Sequence, residues 1–153
     1  MSGRIINPNG YTLRPTGKWE PGAPYLLWPF KRRRRKQYEF TLDPQAPLTW
    51  QAGVTCYVQP DRHGLTDLGS IPEQLRPWLS INRFEASFLM HDSACREHVL
   101  YFTGTFDGAY VKCHVGSERA HALLRDMVRA EGGNRLTAWL VWRVVRRFGP
   151  RWE

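Results

Sequence analysis

The pattern of apolar and polar positions changes once along the chain, at about residue 72. Before that point the sequence is rich in Pro and Gly, and turn-forming residues separate short runs of aromatic and β-branched residues, a pattern typical of strands. These runs predict strands at 25–30, 37–42 and 54–59. Beyond residue 72, apolar residues recur with the three- and four-residue spacing of amphipathic helices.

Three helices are predicted in this second part, over residues 82–95, 117–131 and 135–148. Asn82 and Ser117 are typical N-cap residues at the start of the first two helices. Gly132-Gly133 provides a stop for the second helix, and Gly149-Pro150 provides one for the third. The helices therefore have both the periodicity and the end signals that helices require.

A hairpin is predicted between the first two helices. Segment 99–115 has aromatic and β-branched residues on either side of Asp107-Gly108, a typical turn pair. Together these elements predict an α+β fold, in which a small antiparallel sheet and hairpins from the N-terminal half pack on about three helices from the C-terminal half.

Length and composition predict one domain over 1–153. The chain is 42% hydrophobic, with seven Trp, seven Phe and six Tyr, enough for one full-sized core. Within that domain we distinguish a strand- and loop-rich portion, 1–65, from a helical portion, 66–153. No apolar run approaches the ~20 residues of a membrane span, and the first ten residues lack the apolar stretch of a secretion signal. Three widely spaced cysteines favour reduced thiols and a cytoplasmic site of synthesis.

The formal net charge of +8 is concentrated in two places. Residues 31–36 read KRRRRK and lie between YLLWPF and QYEFTL, which predicts the tip of a hairpin. A second basic cluster decorates the end of the last helix and consists of Arg143, Arg146, Arg147 and Arg151. Both clusters fit phosphate contact, an acidic protein neighbour or simple solvation, and no nucleic-acid-binding motif accompanies them.

The stretch FLMHDSACREH, residues 88–98, places a histidine and an aspartate directly after three large apolar residues. Phe84, Phe88, His91 and Cys95 are spaced by four, three and four residues, so His91 lies along the apolar stripe of the first helix. A buried imidazole beside a carboxylate is costly unless both are satisfied. Catalysis, metal binding and a hydrogen-bonded polar pair of the core all remain open at this point.

The order of four motifs resembles the phage and prophage family called domain of unknown function 1353. The motifs are TDLGSIP (66–72), HD (91–92), RAHALLRDMVRAEG (119–132) and WRVVRRFG (142–149), where the family has TDLxSIP, HDxxY, ADxxF and a final helix closing on FG. Two positions depart from that pattern, because Cys95 replaces the tyrosine and His121 replaces the aspartate. The resemblance covers roughly the C-terminal 90 residues and implies a phage or prophage origin, but no reaction.

A more distant likeness links the HD pair to enzymes of the phospholipase A2 type, which also carry HDxxY on a helix. That likeness implies His91 as the catalytic base, Asp92 as a metal ligand, and His121 in place of the carboxylate that orients the base. Two imidazoles with Asp92 or Asp67 suit zinc or another divalent transition metal better than calcium. The candidate catalytic residues are therefore His91 and Asp92, and the candidate metal ligands are Asp67, His91, Asp92 and His121.

We expect a phage-encoded interaction protein, a virion, tail or assembly component, made in the host bacterial cytoplasm and carried into the virion. Aromatic residues and arginine are enriched at interface cores. The candidate partner-binding residues are Trp19, Trp28, Lys31, Arg32, Arg33, Arg34, Arg35 and Lys36. The expected partners are other phage proteins, in a homo- or hetero-oligomer. The alternatives are a metal-dependent hydrolase of lipid or cell wall, acting in entry or lysis, and a basic accessory protein that binds nucleic acid.

Overall fold

A computed structural model describes residues 3–21, 34–43, 45, 48–52, 55–58, 63–66, 79, 83–103 and 111–153. The strands are β1 (Gly3–Ile6), β2 (Tyr11–Pro21), β3 (Arg34–Leu42), β4 (Thr49–Ala52), β5 (Thr55–Val58), β6 (His63–Thr66), β7 (Val99–Thr103) and β8 (Val111–His114). The helices are α1 (Glu85–Glu97), α2 (Ser117–Ala130) and α3 (Arg135–Phe148). None of the helices in this described part of the chain has the length and apolar content needed to cross a bilayer.

The strands form two antiparallel sheets, one of three strands in the order β2-β3-β6 and one of five in the order β1-β4-β5-β7-β8. Six of the strands precede the first described helix, and three helices follow in the C-terminal half, which confirms the predicted α+β fold. The remaining two, β7 and β8, pair as predicted for segment 99–115, with Leu100 opposite Cys113. Their turn at Asp107-Gly108 lies outside the described residues.

The hairpin that carries the basic run differs from the prediction. Strand 37–42 is confirmed as part of β3, but β3 begins at Arg34, so the second half of the basic run is strand and not hairpin tip. Its partner is β2, which the sequence did not predict, and the predicted strand 25–30 lies outside the described residues. Strand β2 was not predicted because it contains Pro15 and Gly17, and proline and glycine are disfavoured in strands. The structure accommodates both residues at an irregularity, where the β2–β3 register shifts between Pro15 and Trp19 and Gly17 has φ +72°.

The other predicted strand, 54–59, matches β5, while β1, β4 and β6 were not predicted. Each of these three strands is only four residues long, too short to show a clear alternation of apolar and polar side chains.

Helices α2 and α3 match the predicted ranges to within one residue, and α1 is shifted by two to three residues toward the C-terminus. The predicted N-caps of α1 and α2 are wrong. Helix α1 begins at Glu85 with Phe84 as N-cap, so Asn82, which lies outside the described residues, is not the cap. Helix α2 begins at Ser117 itself and Gly116 occupies the cap position. The N-cap has non-helical backbone angles just before the first helical residue, and the sequence pattern does not fix that boundary to one residue. Both predicted stops lie at the ends of helices, since Gly132-Gly133 follows the C-cap Glu131 of α2 and Gly149 is itself the C-cap of α3.

The apolar core connects the strand-rich portion to the helices. One cluster joins both sheets to α1 and α2 and contains Phe40, Leu42, Leu48, Trp50, Ala86, Leu89, Met90, Ala94, Leu100, Val115, Ala120 and Met127. A second cluster packs the three helices together and contains Leu79, Phe84, Phe88, Leu124, Val128, Ala138, Val141 and Val145. The side of α1 that carries His91 therefore lies between a sheet and α2.

The last residues fold back across the start of α2. The indole Nε1 of Trp152 donates to the carbonyl of Val115 at 2.6 Å, and the backbone N–H of Ser117 donates to the carbonyl of Trp152 at 3.2 Å. The Trp152 ring also stacks on His98, with ring centroids 4.7 Å apart. These contacts fix Arg151 close to the N-terminus of α2.

Candidate functional site

The two histidines singled out by the sequence meet in the interior. His91 lies on α1 and His121 in the first turns of α2, and His91 Nε2 is 2.9 Å from His121 Nδ1. Only 3% of His91 and 2% of His121 is exposed. At this distance one ring nitrogen donates to the other, so the pair is a hydrogen bond between helices.

Asp92 lies on the other side of His91. Its Oδ1 atom is 3.7 Å from His91 Nδ1, and its Oδ2 atom accepts a hydrogen bond from the Thr66 hydroxyl at 2.6 Å. Cys95 Sγ is 3.5 Å from His91 Nε2, one helical turn further along α1. A chain of polar contacts therefore runs from Thr66 on β6 through Asp92 and His91 to His121 on α2.

His121 is held neutral at physiological pH. The pKa of His121 is lowered from 6.5 to about 4, chiefly because burial disfavours the imidazolium and secondly because the positive charge of a protonated His91 opposes it. Arg146 lowers this pKa as well, whereas the backbone of Pro150 and the Glu118 carboxylate oppose the drop. Proline has no N–H, so the opposing backbone group is its carbonyl, which favours a proton on the ring.

The arrangement of the two imidazoles is that of a proton-sharing pair. Two nitrogens bound to one tetrahedral zinc at 2.0–2.1 Å would stand about 3.3 Å apart, further than the 2.9 Å between His91 and His121. Asp92 faces Nδ1 of His91, whereas a metal shared with His121 would lie at Nε2. Among the described residues, no group of three His, Cys, Asp or Glu side chains is placed to hold a metal ion. Asp67, the fourth predicted ligand, lies outside them.

Access also distinguishes the two histidines. His121 lines an open cleft between α2 and α3, whereas His91 does not. As a candidate catalytic base, His91 would therefore reach a ligand in this cleft only through His121. Asp92, the second candidate catalytic residue, is separated from the cleft in the same way, because it lies beyond His91.

We call this feature the arginine cleft. It has a volume of about 660 Å³ and is lined by Ser117, Glu118, His121, Arg143, Val144, Arg146, Arg147, Phe148 and Arg151. The sequence showed its four arginines as a basic cluster at the end of the last helix. The sequence did not show that these arginines line the same cleft as His121, because that depends on the packing of α3 against α2 and on the fold-back of the C-terminal tail.

The predicted partner-binding residues are only partly described. Trp28 and residues 31–33 lie outside the described residues. Residues 34–36 belong to β3 and pair with Pro21, Glu20 and Trp19 of β2, so the backbone of Trp19 lies directly beside that of the basic run.

Comparison with protein-family models, curated proteins and solved structures finds no match to this chain. The resemblance to the phage family therefore stays a prediction.

Proposed function

We propose that this chain is a phage- or prophage-encoded interaction protein, a component of the virion, its tail or its assembly path, that binds an acidic protein partner through α3. The observation that carries the proposal is an exposed apolar patch on this helix. Its members are Leu136, Trp139 and Leu140, which are 64%, 47% and 37% exposed.

The patch is not needed by the core. Positions 136, 139 and 140 are neighbours on one face of α3, while the helix buries Ala138, Val141 and Val145 in the second apolar cluster. Leaving large apolar side chains in water forgoes about 25 cal/mol for each Å² that burial would remove. A cluster of such side chains on a soluble surface is typical of a contact site.

Charge favours a partner of different composition over a second copy. Next to the patch, the guanidinium of Arg143 lies over the Trp139 ring at 5.5 Å from its centroid, and Arg147 lies one turn further along. Two copies meeting through this face would bring these cations together in a chain whose net charge is +8. An acidic rim on the partner would match them, and exposed Trp and Arg are the residues that dominate interface energies.

The basic run is proposed as a second contact with the same acidic partner. Six adjacent like charges at 31–36 repel one another, which an anionic surface relieves. Neutralising Arg32 to Arg35 should weaken association and flatten its dependence on salt while leaving the melting temperature unchanged.

The test is co-expression of a tagged chain with the structural and assembly genes of the phage or prophage locus that encodes it, followed by affinity purification. The variant Trp139→Glu with Leu140→Glu should reduce recovery of the partner about tenfold or more. Leu65→Glu with Val111→Glu is the matched control, because it charges two side chains that are 44% and 49% exposed on the sheets. Full recovery with the patch variant, or capture of no virion or assembly protein, would refute the proposal.

The same preparation separates the alternatives. A metal-dependent hydrolase would contain stoichiometric metal that is lost in His91→Ala, as measured by elemental analysis. A nucleic-acid-binding protein would bind arbitrary duplex DNA with a steep logarithmic loss of affinity as salt rises. Either result would replace the interaction proposal.

A further inference from the structure

We propose that the arginine cleft binds a small phosphate-bearing ligand, with its phosphate at the N-terminus of α2 between the guanidinium groups of α3 and the C-terminal tail. This inference goes beyond the proposed function. Leu136, Trp139 and Leu140 do not line the cleft, whereas Arg143 and Arg147 lie both beside that patch and in the cleft lining.

The cleft has the size and lining of a ligand site. Its volume of about 660 Å³ falls within the roughly 300–1,000 Å³ typical of small-molecule pockets. Val144 and Phe148 give one apolar stretch of wall, and the arginines and Ser117 give the polar remainder. An organic group could pack on the apolar stretch while its phosphate faces the guanidinium groups.

The charge in the cleft suits a dianion better than a single carboxylate. Four arginines face one carboxylate, that of Glu118, which pairs with Arg146 at 2.9 Å. Arg147 lies over the Phe148 ring at 5.7 Å from its centroid, an arrangement that orients the guanidinium plane without neutralising it. Arginine forks match the oxygens of phosphate in pairs, so several arginines around one point are a phosphate-binding arrangement.

The N-terminus of α2 adds to this field. The helix has 14 residues, and its N-cap Gly116 provides no side-chain cap. The Ser117 N–H donates to the Trp152 carbonyl, and the next N–H groups of the first turn have no side-chain cap. The partial positive charge of the helix dipole therefore faces the part of the cleft near Ser117 and Glu118.

His121 supplies an independent indication of a ligand. Its Nε2 atom is buried and makes no hydrogen bond of normal geometry among the described residues, so the Pro150 carbonyl, which favours a proton on this ring, does not complete a hydrogen bond to it. Nδ1 faces His91, which does not line the cleft, whereas the His121 ring does, so Nε2 lies on the side of the ring that meets the cleft and the tail residues Pro150 and Trp152. When Nδ1 accepts from His91, the proton of the neutral ring is on Nε2. In that state Nε2 can donate to a ligand oxygen; when His91, with Asp92 beside its Nδ1, accepts from Nδ1 of His121 instead, Nε2 can accept from a phosphate hydroxyl. In both states a ligand would satisfy a buried nitrogen that is costly to leave unpaired.

Isothermal titration calorimetry on the full chain tests the site with three probes: adenosine monophosphate, adenosine and inorganic phosphate. We expect saturable binding of the monophosphate and none of adenosine. Inorganic phosphate binding as tightly as the monophosphate also supports the site and assigns it to free phosphate. Failure of both phosphate probes to bind would overturn the proposal.

Matched arginine variants separate the cleft from the overall charge. Arg143→Gln with Arg147→Gln should weaken binding at least about tenfold. Arg129→Gln with Arg135→Gln removes the same charge from exposed positions of α2 and α3 that do not line the cleft, and should leave affinity within about twofold. Equal weakening by the two pairs would overturn the proposal, because the binding would then reflect net charge alone.

Two further variants act in opposite directions. Glu118→Gln removes the only carboxylate among the lining residues and frees Arg146, so binding should tighten. His121→Gln should weaken it, and if that variant does not fold, the ¹⁵N resonance of His121 Nε2 in the wild-type chain should shift as the phosphate probe is added. An unmoved resonance at saturation would overturn the role of His121. A second patch variant, Leu136→Ser with Leu140→Ser, keeps Trp139 beneath Arg143 and adds no charge, so it should bind the probe as the wild type does while weakening capture of the protein partner, and the two tests then fail independently.

Discussion

Lowering the pH from 7.5 to 5 should destabilise the fold through His121. This ring has a pKa of about 4 in the folded chain and about 6.5 when unfolded. A base whose pKa is depressed by folding contributes stability above its unfolded pKa and loses it as the pH falls toward the folded value. The unfolded state therefore takes up the proton first, and the loss occurs between about pH 6.5 and pH 4.

The size of the effect follows from the two pKa values. At pH 5 the unfolded imidazole is almost fully protonated and the folded one is nearly neutral, which corresponds to a loss of about 2 kcal/mol, rising to ~3 kcal/mol at pH 4. Glu131 acts in the opposite sense. Burial raises the pKa of this carboxyl, so its contribution is largest at low pH and declines as the pH rises through its folded pKa.

A comparison between variants isolates the histidine from Glu131 and other groups. Urea unfolding of the wild type and of His121→Gln at pH 5, 6 and 7.5 gives the difference in unfolding free energy at each pH. That difference should shrink by about 2 kcal/mol between pH 7.5 and pH 5, because the variant has no ring to protonate. His114→Gln controls for the removal of an exposed imidazole. A difference that stays constant over this range would show that His121 does not have a depressed pKa in the folded chain.

Two predictions concern the ends of helices. Ser87→Ala removes a buried hydroxyl that donates to the half-buried Glu131 carboxylate, and should lower the unfolding free energy by about 1–3 kcal/mol in urea titrations. Ser87→Thr keeps the donor and is the control. Equal losses of unfolding free energy in the two variants would contradict this hydrogen bond. Asn134→Ala removes the side-chain oxygen that accepts from the Thr137 N–H at 2.8 Å and should lower the unfolding free energy by about 1 kcal/mol. Asn134→Ser provides another capping oxygen and should keep most of that stability. An unchanged thermal midpoint for the alanine variant would exclude a capping role.

The helices were predicted well because their periodicity and end signals lie within each helical segment itself. The spacing of Phe84, Phe88 and His91 indicated the buried face of α1, and Gly132-Gly133 indicated the end of α2. That His91 lies inward followed from the same periodicity, whereas His121 was singled out by the resemblance and its burial is shown by the structure. Their contact at 2.9 Å did not follow from the periodicity, since it depends on how two helices pack.

The features that were missed depend on distant parts of the chain or on exceptions to local rules. Strand β2 contains Pro15 and Gly17, residues that normally argue against a strand, and is kept by its pairing with β3. The arginine cleft needs the tail to return to α2, and the contact between Trp152 and Val115 that achieves this has no signal in either segment alone.

The two sheets and the helical pair differ in how far the chain must travel to form them. Helices α2 and α3 are joined by only residues 131–134, so their packing closes a short loop. Pairing of Gly3 in β1 with Ala52 in β4 instead closes a loop that contains all the residues between them. Short loops cost less entropy to close and form first. We therefore expect the helical pair to gain protection from hydrogen exchange early in refolding and the β1–β4 pairing to gain it last. The walls that α2 and α3 give the arginine cleft would then be in place before the sheets are complete.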